Sequence, residues 1–152
     1  MSIDQPDEMS VGTLLFIAQR AFEEEIVAEL HNAGFDFTLP QGRLAARISK
    51  NGNRLTELAS AAGIAKQSAA YLLRQLENLG LVARQDDPRD ARAQLVVLTA
   101  HGEKAQQAAR KIEARIEQRW RDLLGPAAFE ELKDHLGTLR EYVDRHAESS
   151  GS

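Results

Sequence analysis

Two glycines, Gly63 and Gly80, each end a short amphipathic segment in the middle of the chain. Residues 55–62 and 65–79 carry apolar side chains at the three- and four-residue spacing of a helix. Glycine closes a helix at little cost, because it adopts the left-handed backbone conformation readily. We therefore expect two short helices joined by a tight turn, which is a helix-turn-helix.

The second of these helices has two chemically different faces. Leucines form its apolar face, and the other positions include Lys66, Gln67, Ser68, Tyr71 and Arg74. A polar and basic face of this kind is typical of a recognition helix, which enters the major groove of DNA. We predict DNA contacts for these five residues and for Arg54, which directly precedes the first helix.

A β-hairpin is expected after the helix-turn-helix. Residues 81–85 and 93–98 are two short apolar segments, and the charged residues 86–92 between them suggest a long loop at the tip. Arg89 and Arg92 lie in this loop, and arginine suits the strong negative potential of a narrow minor groove. The hairpin is therefore interpreted as a DNA-contacting wing.

Longer helices flank this central part. We expect a first helix over residues 10–33. A second helix should begin at a capping box formed by Thr38 and Gln41 and should run to about residue 49. Two more follow over about residues 99–124 and 127–147, and the last has the alternating three- and four-residue spacing of helix-to-helix packing.

The apolar stripes of the first and last helices need a partner. Only about 60 residues of winged domain lie between the flanking helices, and a second copy of the chain is the simplest source of a matching surface. We therefore expect a homodimer formed through the N- and C-terminal helices. An intramolecular helical bundle is the alternative.

Charge is distributed unevenly along the 152 residues. The net charge is −4, but residues 43–92 contain nine basic and five acidic side chains, whereas residues 1–42 contain one basic and eight acidic ones. Local charge decides whether a surface attracts phosphate, so the middle third is suited to double-stranded DNA.

Several classes of protein are excluded by composition. There is no cysteine, which excludes disulfides, thiolate metal sites and thiol redox switches. No apolar run approaches the length of a membrane span, and no signal peptide is visible, so we expect a cytoplasmic protein without a membrane partner.

Catalytic motifs are also missing from the sequence. No two of the four histidines have the i, i+4 spacing of a helical zinc pair, and there is no nucleophile elbow or glycine-rich phosphate loop. We predict no enzymatic activity, no metal site and no cofactor.

Taken together, four stretches resemble the MarR (multiple antibiotic resistance regulator) family over about residues 10–146. They are residues 55–59 (LTELA), 63–68 (GIAKQS), 76–84 (LENLGLVAR) and 87–102, where the wing is followed by Leu-Thr-x-x-Gly. The resemblance implies a winged-helix homodimer that binds a pseudopalindromic operator, usually as a repressor. It also implies release of DNA on binding a small anionic aromatic compound.

The resemblance extends to individual wing residues, with some departures in the recognition helix. Asp90 and Arg92 match the family's paired acid and base, which implies that Asp90 orients the wing. Ala65, Ala70 and Tyr71 differ from the residues that family members often carry, so the base sequence of the operator cannot be read from the helix.

The resemblance also implies an effector pocket near the first, second and fifth helices. Phe16, Arg20, Phe35 and Phe37 are candidates to line it, with Arg20 as the partner of a ligand carboxylate. In the alternative interpretation the phenylalanines belong to the core, and Arg20 pairs with Glu24 one helical turn away.

The sequence thus predicts a mainly α-helical winged helix-turn-helix protein with a small β-hairpin. We expect an N-terminal dimerisation helix (residues 1–36), a DNA-binding domain (37–99), C-terminal dimerisation helices (100–147) and a flexible tail (148–152). The predicted function is a DNA-binding transcriptional regulator. The alternative is a dimeric winged-helix module for protein contacts, for which the acidic run Glu23–Glu25 would serve.

Overall fold

The helices and strands follow the order of a winged helix-turn-helix. In the computed structural model, which describes residues 8–150 and side chains as far as residue 147, they are α1 (Val11–Asn32), α2 (Leu39–Ala45), α3 (Leu55–Ala62), α4 (Lys66–Asn78), β1 (Val82–Asp87), β2 (Asp90–Leu98), α5 (Ala100–Leu124) and α6 (Pro126–Ser150). The predicted fold class, mainly helical with one β-hairpin, is confirmed.

Local capping explains where the early helices begin and end. Ser10 accepts a hydrogen bond from the Thr13 amide at the start of α1. At the start of α2, the Thr38 amide donates to Gln41 Oε1 at 2.9 Å, and the Gln41 amide donates to Thr38 Oγ1 at 3.4 Å. This is the predicted capping box. Gly63 ends α3 in the left-handed conformation, with φ of 66°.

The second helix is shorter than expected, since it ends at Ala45 rather than near residue 49. Its last turn tightens, with the Ile48 amide bonded to the Ala45 carbonyl, and a bend follows in which Ser49 donates its amide to Asn53 Oδ1 at 2.7 Å. The bend allows Asn53 to pair with Val96 of β2, so the chain leaves the helix early in order to reach the sheet.

The structure divides into two compact units, of which the first ends at Glu113. α2 packs against α1, α3 and α4 in this unit. Its core consists of side chains that every element contributes: Leu30, Leu44, Leu58, Leu73, Leu76, Val82, Leu95, Val96, Ala105 and Ile112. The apolar periodicity of the sequence therefore marks most of the buried positions, although Leu79 at the end of α4 is exposed and the polar side chains of Gln41 and Asp87 are buried.

The strands of the hairpin are longer than the sequence suggested. β1 and β2 pair antiparallel from Val82 opposite Leu98 to Asp87 opposite Asp90, with an irregularity between Asp86 and Asp87. Only Pro88 and Arg89 remain outside the strands at the tip. The expected long loop is therefore wrong, because backbone pairing continues through the charged residues.

The start of α5 is fixed against the end of α4 and β1. Thr99 donates its amide to the Leu81 carbonyl and its hydroxyl to the Gly80 carbonyl, at 3.0 and 2.6 Å. A Cβ at Gly102 would overlap with the Leu81 carbonyl oxygen, so a side chain would push α5 away. The Leu-Thr-x-x-Gly pattern is thus a packing requirement of this junction.

The second unit begins at Ala114, within α5, and contains α6. Ile116 and Phe129 are buried, and the Arg121 guanidinium lies over the Phe129 ring and pairs with Glu130 at 2.8 Å. α6 continues to Ser150, beyond the expected end at residue 147, and residues 151–152 of the expected tail lie outside the described residues. The division into four segments predicted above stays a prediction.

No helix in the described part of the chain is long and apolar enough to cross a membrane.

Candidate nucleic-acid interface

The exposed face of α4 carries the residues that the sequence predicted to read DNA. Ala69, Leu73 and Leu76 are buried on one side of this helix. The side chains that face solvent include Lys66, Gln67, Ser68, Tyr71 and Arg74. The structure therefore gathers all five on the accessible side of one helix, although contact with DNA itself stays a prediction.

The tip of the wing presents two arginines to solvent. Arg89 follows the turn proline and its side chain is 75% exposed, and Arg92 is exposed at the start of β2. A long cationic side chain at an exposed hairpin tip is free to enter a narrow groove. The position of Arg89 is thus compatible with the predicted minor-groove contact.

A buried carboxylate beneath the tip ties the wing to the helix-turn-helix. Asp87, whose side chain has no solvent exposure, accepts two hydrogen bonds from Arg54, from Nε at 3.1 Å and from Nη2 at 3.0 Å. Its other oxygen accepts the Arg89 amide at 2.9 Å and lies 3.5 Å from Arg89 Nε. One carboxylate therefore joins the residue before α3 to the wing tip.

These contacts keep Asp87 ionised. The hydrogen bond from the Arg89 amide is the main cause that lowers the pKa of Asp87, and Arg54 acts in the same direction, whereas burial opposes both. An ionised acceptor forms stronger hydrogen bonds than a neutral one. The charge thus strengthens the link between the wing and Arg54.

Asp90, the residue predicted to orient the wing, does not take part in these contacts. Its carboxylate is exposed at the tip and accepts the Arg92 backbone amide at 3.0 Å. The tethering contacts belong to Asp87, which the sequence analysis missed. A usable signal was present: aspartate followed by proline often forms a turn in which its carboxylate binds the amide two residues on, as it does here with Arg89.

Arg54 is also engaged differently from the prediction. Its guanidinium points to Asp87 and its side chain is 38% exposed. It positions the wing within this structure, and its contact with DNA stays a prediction.

A cavity of about 310 Å³ lies within the first unit, between α1, α2, the end of β2 and α5. Its apolar wall includes Phe22, Ile26, Leu30, Phe37, Leu39, Leu76, Leu81 and Leu98. Charged and amide side chains also line it: Gln19, Glu23, Arg43, Arg47, Gln106, Arg110 and Glu113. The size is in the range of small-molecule sites.

The structure does not bring the four predicted pocket residues together. Phe37 lines the cavity, whereas Phe16, Arg20 and Phe35 are not among the lining residues. Arg20 faces Glu24 at 3.9 Å, as the alternative interpretation expected, and the Phe35 ring lies against His101. The cavity's own arginines were missed, because they belong to α2, the segment after it and α5, and only folding brings them near α1.

The polar part of the cavity is organised around Glu23. Arg43 donates from Nε and Nη2 to the two Glu23 oxygens, at 3.0 and 2.6 Å, and Gln19 donates to Oε1 at 2.9 Å. The hydrogen bonds from Arg43 are the main cause that lowers the pKa of Glu23, while partial burial acts against them. Glu23 is therefore a charged acceptor held between α1 and α2.

α2 and the residues directly after it are connected to both helices of the helix-turn-helix. Arg47, two residues beyond the end of α2, donates to the carbonyl of Arg43 within α2 at 2.7 Å and to the carbonyl of Ala61 at the end of α3 at 2.9 Å. The nearly buried amide of Gln41 donates to Gln75 Oε1 of α4 at 2.9 Å. A displacement of α2 would therefore act on α3 and α4 directly.

Comparisons with known proteins agree with this architecture. The family model of the MarR family matches residues 35–93. The transcriptional regulator HosA of Escherichia coli O111:H- is 34% identical over 110 residues, which are 72% of this chain and 79% of HosA.

Two solved structures with the same fold contain a bound molecule. The repressor CouR, bound to a 23-mer DNA duplex, is 28% identical with a TM-score of 0.72, over 92% of this chain and 99% of CouR. NadR, in complex with 4-hydroxyphenylacetate, is 27% identical with a TM-score of 0.69, over 91% of this chain and 97% of NadR.

The relatives are regulators of transcription, which confirms the prediction that the chain is not an enzyme. The winged helix-turn-helix, the family match over the DNA-binding region and the extended similarity to HosA lead to one conclusion: this chain belongs to the MarR family of transcriptional regulators.

Proposed function

We propose that this protein is a transcriptional repressor that binds an inverted-repeat operator as a homodimer. One observation carries the proposal: α4 has an exposed polar face, and the wing beside the helix-turn-helix is held in place, because Asp87 beneath its tip binds Arg54. Two basic elements held in a defined geometry can contact one major groove and a neighbouring minor groove together. The DNA-bound repressor CouR supports this function.

Exposed apolar side chains support the homodimer. The first half of α1 leaves Val11, Leu14, Leu15, Phe16 and Ile17 exposed, and α6 leaves Leu136, Leu139, Tyr142 and Val143 exposed. Several large apolar side chains exposed along one helix favour an interaction site on that helix. Two-fold pairing would place two α4 helices about one DNA turn apart, roughly 10 base pairs from centre to centre.

Selection from random duplexes tests the operator. The full-length protein is expected to enrich an inverted repeat, and footprinting on that duplex is expected to show two protected half-sites about 10 base pairs apart. Repeated enrichment of sites without a dyad would contradict the proposal, and so would binding that selects no sequence.

We further propose that a small aromatic acid releases the protein from DNA by binding in the cavity. The apolar wall suits an aromatic ring, and Arg43 of α2 suits a carboxylate. NadR in complex with 4-hydroxyphenylacetate supports this chemical class. Arg43, rather than Arg20, is the proposed anchor, because Arg43 lines the cavity and Arg20 does not.

Titration of the DNA complex tests the effector. 4-Hydroxyphenylacetate or salicylate is expected to lower the fluorescence anisotropy of a labelled operator, with a coupling of about 1–3 kcal/mol and thus about 5- to 150-fold weaker DNA binding. An unchanged anisotropy at millimolar acid would contradict the effector proposal and leave the DNA-binding proposal standing.

A further inference from the structure

The ion pair of Glu23 and Arg43 has the geometry of a bound carboxylate. Arg43 presents its Nε and Nη2 to the two oxygens of Glu23, at 3.0 and 2.6 Å. The Glu23 side chain is only 13% exposed, and both residues line the cavity. A ligand acid bound to the same edge of Arg43 would form the same two parallel hydrogen bonds.

Glu23 and a ligand carboxylate therefore exclude each other on this edge. The Nε–Nη2 edge of one guanidinium accommodates one carboxylate at these distances. Gln19 completes the site by donating to Glu23 Oε1 at 2.9 Å, so three donors converge on the position of one carboxyl group.

We propose that Glu23 is a built-in occupant of the carboxylate site on Arg43, and that the effector acid acts by displacing it. This inference rests on the proposed effector function of the cavity. The ligand class is an aromatic monocarboxylate, whose ring takes the apolar wall while its carboxylate replaces that of Glu23.

The exchange has a structural consequence, because Glu23 belongs to α1 and Arg43 to α2. Displacement removes this direct ionic link between the two helices. α2 also holds α4 through Gln41, and Arg47, which follows α2, binds the Arg43 carbonyl and the end of α3. A ligand that takes Arg43 from Glu23 thereby frees the helix that supports the recognition helix.

The charges on Glu23 and Arg43 favour the exchange of one carboxylate for another. The lowered pKa of Glu23 keeps its carboxylate charged at neutral pH. An incoming carboxylate then replaces one negative charge by another, and Arg43 never loses its counterion. A neutral ligand gains nothing from this site, since it cannot compensate for the loss of the Glu23 contact.

Chemical rescue tests the site without knowledge of the effector. Glu23→Ala leaves a space of carboxylate size beside Arg43, so acetate is expected to raise the thermal unfolding temperature of this variant relative to chloride at equal ionic strength. The wild type, the control Glu24→Ala at the exposed neighbour, and the double variant Glu23→Ala/Arg43→Gln are expected to show no acetate-specific rise. An equal acetate effect in all four proteins would overturn the inference.

Ligand titration with Glu23→Gln provides the second test, since this variant keeps the side-chain volume. By calorimetry it is expected to bind 4-hydroxyphenylacetate about tenfold more tightly than the wild type, because the charged competitor is gone. The neutral 4-hydroxyphenylacetamide should not gain affinity. If Glu23→Gln binds the acid with the same or lower affinity than the wild type, the proposed exchange is wrong. If acetate rescues Glu23→Ala but no acid releases the operator DNA, the carboxylate site stands and only the effector function is refuted.

Discussion

Arg54 and Asp87 are joined by two hydrogen bonds of 3.1 and 3.0 Å, although 33 residues separate them in the sequence. Arg54 directly precedes the first helix of the helix-turn-helix, and Asp87 ends the first strand of the wing. Because the Asp87 side chain is fully buried and also binds Arg89, the helix-turn-helix and the wing share one structural support.

Replacing Asp87 by Asn is expected to weaken operator binding without changing any residue that is proposed to contact DNA. The amide keeps one acceptor oxygen but loses the charge that holds Arg54 and Arg89, so the wing tip becomes less ordered. Fluorescence anisotropy with a labelled operator measures the loss. Asp90→Asn is the matched control and should bind nearly as the wild type does.

The variants Asp87→Asn and Arg89→Ala should not be additive. If Asp87 acts by placing Arg89, Asp87→Asn should weaken DNA binding much less in a protein that already carries Arg89→Ala. A double-mutant cycle is then expected to report a coupling of about 0.5–3 kcal/mol. Additive losses in the cycle would show that Asp87 stabilises the domain without directing Arg89.

The acid stability of the protein should depend on Asp87. Its pKa is lower in the folded chain than in the unfolded one, so its contribution to stability is complete above the unfolded value of about 3.9 and is lost as the pH falls through the folded value. Urea unfolding between pH 6 and pH 3 is expected to show a steeper loss for the wild type than for Asp87→Asn. Parallel curves would contradict this assignment.

Lys66 and Arg89 should affect DNA binding in different ways. Arg89→Ala is expected to weaken binding most on operators with A·T-rich flanks, where the minor groove is narrow. For Lys66→Ala, a lost phosphate contact lowers affinity evenly and reduces the salt slope by about one, whereas a lost base contact costs about 1–3 kcal/mol at one position. Wild-type affinity of Arg89→Ala on every duplex would refute the wing assignment.

Regular features of this fold were readable from the sequence because they depend on neighbouring residues. The bounds of α3 agree with the apolar spacing and the glycine at its end, and the capping box at Thr38 depends on a residue only three positions away. The buried faces of α4 and the exposed positions of its polar residues follow from the same periodicity.

Long-range contacts could not be read in this way. The Asp-Pro turn could mark Asp87 as the acceptor of the Arg89 amide, but its other partner, Arg54, lies 33 positions away in the sequence and only folding brings the two together. Arg43 reaches Glu23 across 20 positions because α2 packs against α1, whereas Arg20 seemed the natural anchor from the sequence because it was the only basic residue nearby.

The exposed apolar side chains of α6 should maintain the dimer. Leu136→Lys together with Leu139→Lys places two charges on this surface, and the variant is expected to give monomers or unfolded chains. Light scattering at micromolar concentration distinguishes the states, since one chain has a mass of 16.8 kDa. A wild-type protein of that mass would contradict the homodimer.

Binding to one selected operator, compared in three arrangements, tests the central claim most directly. Anisotropy titrations would use the intact inverted repeat, a duplex with one half-site scrambled, and a duplex with the half-sites moved apart by about 5 base pairs, or half a helical turn. A dimer with two recognition helices predicts that the intact repeat binds at least about tenfold more tightly than either altered duplex. Equal affinity for all three would contradict a dimeric repressor that reads an inverted repeat.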